Sequence, residues 1–428
     1  MIDVSGKKLL ILGDTSTADI ILNAQKMGVY TVVTGIHPDA KTRQLADEAI
    51  LIPSDDHEAL AKYIRDNGID GVMTGPSEFH VFNMIQLCPK VGLPIYASEA
   101  QWNLCQNKAA FKKLCREFCV PVVPEYVIDS EMKQEDLAHI KYPVVVKPTD
   151  SCSSQGLTIC LNEVELKTAI PFAISFSKTG QFIVERCITS DYGFGCRYIA
   201  NNGEIYLSAV NDQYTVDEFD GRAHISAVSR FPSKRIESFI RDINPSIIRM
   251  FKSIGLANGT FFMQALVDQE DDCIYFHEMG LRLSGGLNNH LFEAVCGYND
   301  VQMMIRYALG GPMATPQEIE KIDPWMRGHI LSSVNIPLKP GIIARISGVS
   351  VVRNSKNVVD IRQYYEVGDE IKDSFVGTLS QHFCRVKIVT NSIDEYRDMI
   401  TFIQTTIKVE DANGNDLVYR RFDLSRLK

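Results

Sequence analysis

The first hundred residues alternate short apolar runs with segments of helical spacing, and this alternation constrains the fold more than any other feature. Residues 9–12 form an apolar run that ends at Gly13. Ile20, Ile21, Ala24 and Met27 then recur at helical spacing, and Gly28 stops the segment. Residues 31–34, 49–52, 71–74 and 93–97 repeat the strand-like run. Strands separated by helices are joined by crossovers, which build a parallel sheet from βαβ units. The first turn, Gly13-Asp14-Thr15-Ser16-Thr17, lacks the G-x-G-x-x-G spacing, so a nicotinamide-dependent oxidoreductase draws little support.

Past residue 100 the pattern changes. Asn107 can cap a helix whose one face carries Phe111, Leu114, Cys115 and Phe118, and Pro121 and Pro124 end it. Short strands at 144–147 and 182–185 flank a Ser-rich loop, and a strand at 273–279 leads into a Gly-rich turn. From about residue 330, Pro337, Pro340, Gly341, Gly348, Gly368 and Gly377 punctuate short strands, with one late helix at 393–407. This reads as a small β-rich C-terminal unit.

The balance of 44 basic against 53 acidic residues gives a net charge of −9, which argues against a nucleic-acid partner. An anionic substrate would then need a local basic pocket. The 11 cysteines include no C-x-x-C pair, so a zinc site is not indicated, and free thiols in this number fit a reducing cytoplasm. The opening MIDVSGKKLLILGD reads as a first strand and not as a signal peptide, and no run approaches the ~20 apolar residues that span a bilayer. The expectation is a cytoplasmic enzyme without a membrane partner.

Four features recur in one order. Lys108 begins a helix, where a full charge joins the partial positive charge of the N-terminus and suits a phosphate. Tyr142-Pro143-Val144-Val145-Val146-Lys147-Pro148 carries a lysine out of an apolar strand toward a cleft. Thr149–Gly156, TDSCSSQG, has small residues whose backbone N–H groups can approach an anion. Finally, Gln264 and Glu278 sit on two apolar strands joined by an acidic turn, so a hairpin would set them side by side. Two hard oxygen groups make a magnesium site once phosphates complete the shell. Arg282 follows, placed for a carboxylate or a phosphoryl group, and Ser284-Gly285-Gly286 offers backbone donors. Each feature also has a plainer structural reading: a solvated lysine, a strand ending in a charge, a surface loop, a buried Glu–Arg pair.

Together, Lys108, YPVVVKP, the Ser/Gly loop, Glu185 closing a strand, and Gln264…Glu278-x-x-x-Arg282-x-x-Gly-Gly resemble the ATP-grasp superfamily over the whole chain. The resemblance implies an α/β protein with three parts. These are a Rossmann-like parallel-sheet N-terminal domain at 1–100, a two-lobed α+β ATP-grasp core at 101–330 with a mobile lid at about 124–190, and a β-rich C-terminal domain at 331–428. It implies that Lys108 and Lys147 contact ATP, that Ser151, Ser153, Ser154 and Gly156 belong to the phosphate loop, that Glu185 reads the adenine edge, and that Asp191 binds the ribose. Gln264 and Glu278 would hold magnesium, with manganese as a substitute, and Arg282 would stabilise an acyl phosphate. One departure stands out: the family usually has Asn two residues after the second metal-binding Glu, and this chain has Gly280.

After Arg282 the biotin carboxylase-like branch continues with Glu and His, where this chain has Gly286 and Leu287. R-L-S-G-G instead resembles members that couple a small carboxylate to an amine, and dimers are common among similar ligases. Glu78 could hold a substrate ammonium or stabilise its own helix. The middle of residues 211–235 is polar and reads as a loop over the cleft, and His224 and Arg230 within this stretch could touch substrate. The leading expectation is an ADP-forming carboxylate–amine ligase. A ligase like carbamoyl-phosphate synthetase or phosphoribosylglycinamide synthetase stays open, as does a non-catalytic nucleotide binder.

Overall fold

The computed structural model of the chain describes residues 3–128, 132–150, 155–190, 192–216 and 225–427. β1 (Lys8–Leu12) is central to a four-stranded parallel sheet, flanked by β2 (Tyr30–Thr34) and β4 (Gly71–Thr74), with β3 (Glu48–Ile50) outside β2. Leu9 through Leu12 are fully buried, as the two-sided burial of parallel strands requires. α1 (Ala18–Lys26) buries Ile20, Ile21 and Ala24 on this sheet, and α2 (His57–Asn67) starts on the Asp56 cap and stops at left-handed Gly68. α3 (Glu78–Val91) begins just beyond the C-terminal end of β4. The strand order reverses beside β1, and open α/β sheets present ligand crevices at such a point.

Residues 93–97, read as a fifth strand, form none. Pro94 has no N–H for a ladder, and the segment instead docks between domains: the Tyr96 hydroxyl donates to the Leu281 carbonyl at 3.0 Å. Next come two helices where one was expected, α4 (Glu99–Gln106) and α5 (Lys108–Glu117), because Asn107 is extended and caps α5 by accepting from the Ala110 N–H.

The lid is an antiparallel sheet in the order β5 (Glu125–Tyr126), β8 (Phe182–Arg186), β6 (Val144–Pro148), β7 (Thr158–Cys160). It has its own apolar cluster of Val144, Val146, Leu166, Ile170 and Val184, separate from the main core. The main core is built on an eight-stranded sheet that starts with β13 (Ile274–Gly280), β12 (Gly259–Val267), β9 (Gly193–Asn201), β10 (Glu204–Thr215) and β11 (Ser226–Arg230). It continues without interruption through β14 (Ile330–Pro337), β19 (His382–Thr390) and β17 (Val358–Gln363). Residue 330 is therefore not a sheet boundary: Val228 of β11 pairs with Val334 of β14. Two small pairs, β15 (Gly341–Ile342) with β18 (Glu370–Ile371) and β16 (Arg345–Ser347) with β20 (Lys408–Glu410), complete the C-terminal part.

The N-terminal sheet seats on the core at Gly71. A Cβ there would stand 2.3 Å from the Ala308 carbonyl oxygen, at the end of the helix Asp300–Ala308. Gly71→Ala should therefore cost about 1–3 kcal/mol by overpacking. Urea unfolding measures this, and wild-type stability in that variant would show that the contact does not hold the domains together.

Candidate active site

The hairpin expected from the sequence forms. Gln264 of β12 lies directly opposite Glu278 of β13, so both side chains share one face of the sheet. A register shift just past Gln264 leaves His277 as the extra residue on β13, re-aiming the strand where Glu278 emerges. Glu278 is exposed and Gln264 half-buried. Burial lowers the His277 pKa, with Lys147 and Lys108 acting in the same direction against Glu278 and Glu185, so the imidazole is neutral near pH 7. Its sensitivity to Lys147 and Glu185 places the inner edge of the lid beside β13.

At that edge the lid carries a buried charge relay. Lys147, leaving β6, approaches Glu185 Oε2 at 2.6 Å, and Lys112 of α5 approaches Glu185 Oε1 at 2.5 Å and Glu125 Oε1 at 2.7 Å. Lys112 has no exposed surface, and Arg116 adds a second cation to Glu125. Burial pushes the Glu185 carboxyl up, but the two ammonium groups outweigh it and hold its pKa below the ordinary carboxylate range. Both Glu185 oxygens are thus committed to lysines, so the carboxylate does not stand free to read an adenine edge. Lys108 is the first residue of α5, and its backbone N–H donates to the Thr149 carbonyl at 3.0 Å, tying the helix N-terminus to the end of β6. Gly156 follows the phosphate-loop stretch with φ +73° and packs against Phe176. Ser151, Ser153, Ser154, Asp191 and His224 lie outside the described residues.

Arg282 is fixed from three directions. Its Nη2 pairs with Glu78 Oε1 at 2.9 Å, its Nη1 donates to the Leu283 carbonyl at 3.0 Å, and its guanidinium lies 5.1 Å from the centre of the Phe262 ring. Glu78, which could hold a substrate ammonium or stabilise its own helix, pairs with Arg282 in this structure and brings the N-terminal domain into the site. The same ring explains Gly280. Gly280 is paired with Phe262 across the hairpin, and a Cβ on it would stand 2.4 Å from the ring. The volume that a metal-binding Asn would need is filled by the platform under Arg282.

The Ser284–Gly286 turn accepts where donors were expected. Arg197 Nε donates to Ser284 Oγ at 3.2 Å, and Arg385 Nη1 donates to the Gly285 and Gly286 carbonyls at 3.2 and 3.0 Å. Lys387 Nζ donates to the Leu287 carbonyl at 2.6 Å. Arg230 is not brought to this cluster. It pairs with Asp212, whose carboxyl burial pushes up, whereas the preceding residue, Asn211, bonds Arg197. Adjacent strand residues point to opposite faces, so Arg230 lies behind the sheet.

Sequence reasoning missed Lys112, His277, Phe262, Arg197, Arg385 and Lys387. Lys112 lies four residues from Lys108, one turn along the same helix face. Arg385 and Lys387 alternate with apolar residues in His382–Thr390, which marks the face they share. For His277 and Phe262 only the paired register carries the signal.

Because the Glu185 pKa is lowered in the folded state, its ionisation stabilises the fold above the unfolded carboxylate value, and this stabilisation is lost as pH falls through the folded value. Wild type should therefore exceed Glu185→Gln most above about pH 5, with the gap narrowing below about pH 4. Unfolding free energies across that range measure it, and a gap independent of pH would contradict the ionised, paired state. Gly280→Asn should lower turnover by displacing Phe262 and loosening Arg282. A variant that gains metal affinity at full activity would show that the ring yields freely.

Comparison with known proteins agrees with this geometry. Residues 107–315 match the family described as carbamoyl-phosphate synthase L chain, ATP binding domain. The chain is 26% identical over 337 residues to the alpha subunit of mitochondrial methylcrotonoyl-CoA carboxylase of Arabidopsis thaliana, covering 70% of this chain but 42% of that one. It is 24% identical over 340 residues to formate-dependent phosphoribosylglycinamide formyltransferase of Sulfurisphaera tokodaii, covering 77% and 82%. Among solved structures, L-amino acid ligase from Bacillus licheniformis superposes with a TM-score of 0.76 at 18% identity, covering 96% of this chain and all of that one. Among the described residues no helix is long and apolar enough to cross a membrane. With the lid and the hairpin-bearing core in place, residues 107–315 are similar to the ATP-binding domain of the carbamoyl-phosphate synthase L chain, and the chain shares its fold with the L-amino acid ligase.

Proposed function

We propose that this protein activates a small carboxylate with ATP as an acyl phosphate and joins it to an amine, releasing ADP and phosphate. The observation that carries this reading is the Gln264–Glu278 cross-strand pair on the open face of the sheet, four residues before a clamped Arg282. ATP lies between this face and the lid edge that carries Lys147. Lys108, at the N-terminus of α5, and Lys147 supply positive charge to the phosphates.

Gln264 and Glu278 fit a hard divalent cation in chemistry, though among the described residues there is no cluster of three His, Cys, Asp or Glu. Two protein oxygens suit magnesium, which keeps water and phosphate in its shell, and manganese can substitute. When bound, such an ion neutralises charge on the transferring phosphoryl group. Arg282 orients the carboxylate and faces the negative charge that develops during transfer, with Phe262 and Glu78 holding its planar fork in place. The transfer depends on positioning and electrostatics and needs no nucleophilic side chain. The amine then attacks the acyl carbon and phosphate leaves.

Glu278→Ala should keep the fold and lower ADP release at least about 100-fold, since Lewis-acid stabilisation is worth several kcal/mol. Arg282→Lys should lower kcat well beyond any change in ATP affinity. The direct test is ADP release with MgATP against amino acids singly and in pairs, with mass spectrometry of the product. Release that needs two substrates establishes the ligase. Tight MgATP binding without release for any pair would favour the nucleotide-binding role that Gly280 leaves open.

A further inference from the structure

Two guanidinium groups bracket the turn after Arg282 without a carboxylate in contact. Arg385 donates from Nε to Asn335 Oδ1 at 3.0 Å and from Nη1 to the Gly285 and Gly286 carbonyls. Arg197 donates from Nη1 to Asn211 Oδ1 at 2.6 Å and from Nε to Ser284 Oγ. All of these partners are neutral. Other arginines are paired differently: Arg282 in the site meets Glu78, and elsewhere Arg306 meets Glu318 and Arg362 meets Asp19. Arg362 is the cross-strand neighbour of Arg385, so two cations stand side by side and only one is neutralised. The carboxylate that most influences Arg197 is the buried Asp300, whose pKa burial pushes up to about 6 and which makes no ion-pair contact with the guanidinium.

Position adds to the argument. Gly195 of β9 pairs with Gln264 and, on its other side, with Asn211. Arg197 is two residues further along β9 on the same face, about 7 Å at the usual strand rise. A small molecule whose reacting carboxylate lies near the hairpin therefore reaches the paired arginines with its other end. Partly desolvated guanidinium groups without a contacting carboxylate are costly, and a bidentate oxyanion relieves that cost.

Resting on the ligase reading, we propose that the carboxylate substrate carries a second oxyanion, a carboxylate or a phosphate ester, bound by Arg385 and Arg197 at the Ser284–Gly286 turn. The neutral partners of these arginines then act as guides. Asn335, Asn211 and the turn carbonyls aim the forks, leaving one Nη2 on each for the ligand. Among the described residues no hydrogen bond engages either Nη2.

The test is calorimetric binding in the presence of magnesium and a non-hydrolysable ATP analogue, with propionate against succinate, and alanine against aspartate and O-phosphoserine. The member with a second oxyanion should bind about 10- to 100-fold more tightly, the range for a charged hydrogen bond. Preference for aspartate or for O-phosphoserine identifies the oxyanion. Arg385→Gln should remove the preference, and Arg385→Lys, kept as a control for folding, should retain part of it. Equal binding of each pair by the wild-type protein overturns the proposal, as does an unchanged preference in Arg385→Gln. ADP release with a monocarboxylate as fast as with its doubly charged counterpart overturns it and leaves the ligase reading standing. Preferential binding with no ADP release for any carboxylate supports the subsite and removes the ligase reading.

Discussion

The register of the β12–β13 hairpin is the constraint on which the site depends. Because side chains alternate with a period of two, the pairing of Gln264 with Glu278 also fixes Phe262 opposite Gly280. From there the order propagates. Phe262 supports Arg282, and β9, paired to β12, presents Arg197 on the same face. A slip of one residue would turn the oxygen pair into the core and remove the platform under Arg282. The bulge at His277 lets the strand keep this register while turning Glu278 outward.

Charge is handled in two ways around this face. On the lid side, Glu185 holds two ammonium groups, and removing any member would leave a buried charge unpaired, typically a loss of about 3–5 kcal/mol. Such a relay fixes Lys147 in direction more than it stabilises the fold. Beside Arg282, which is paired with Glu78, Arg197 and Arg385 instead rest on neutral acceptors. The chain is acidic overall, so the anion site that we propose depends on this local inversion of sign.

Much of this was legible in the sequence because it rests on periodicity. The βαβ pattern gave β1 to β4, and two apolar runs around an acidic turn gave the hairpin and its opposed oxygen groups. The errors have physical causes. Residues 93–97 look like a strand by composition, but Pro94 removes a ladder donor and the run becomes an interdomain connector. Turn residues beyond 330 suggested a separate unit, yet β14 joins the core sheet, since no local signal records which edge a strand will extend. Arg230 sits in a polar stretch, and only the pairing with Asp212 reveals that it faces away. Glu78 and Arg282 were both singled out, but a contact across 204 residues of sequence leaves no local trace.

The same packing decides which parts can move against one another. The N-terminal sheet, the eight-stranded sheet and the C-terminal strands share one apolar core, whereas the lid has a cluster of its own. Polar contacts follow that division. Glu78 holds Arg282 from the N-terminal domain. Asp19 on α1 holds Arg362 and lies close enough to Lys387 to affect it, and Lys387 in turn holds the Leu287 carbonyl. The segment from Arg282 to Leu287 is therefore gripped by both ends of the chain and cannot shift without breaking pairs in two domains. The lid meets the rest through polar contacts, among them Lys112 with Glu185, Arg186 with Asp268, and the 121–123 segment beside β13. An enzyme that must admit ATP and then exclude water needs one rigid wall and one that closes. In the function that we propose, the shared core supplies the rigid wall and the lid, with its separate cluster, the one that closes.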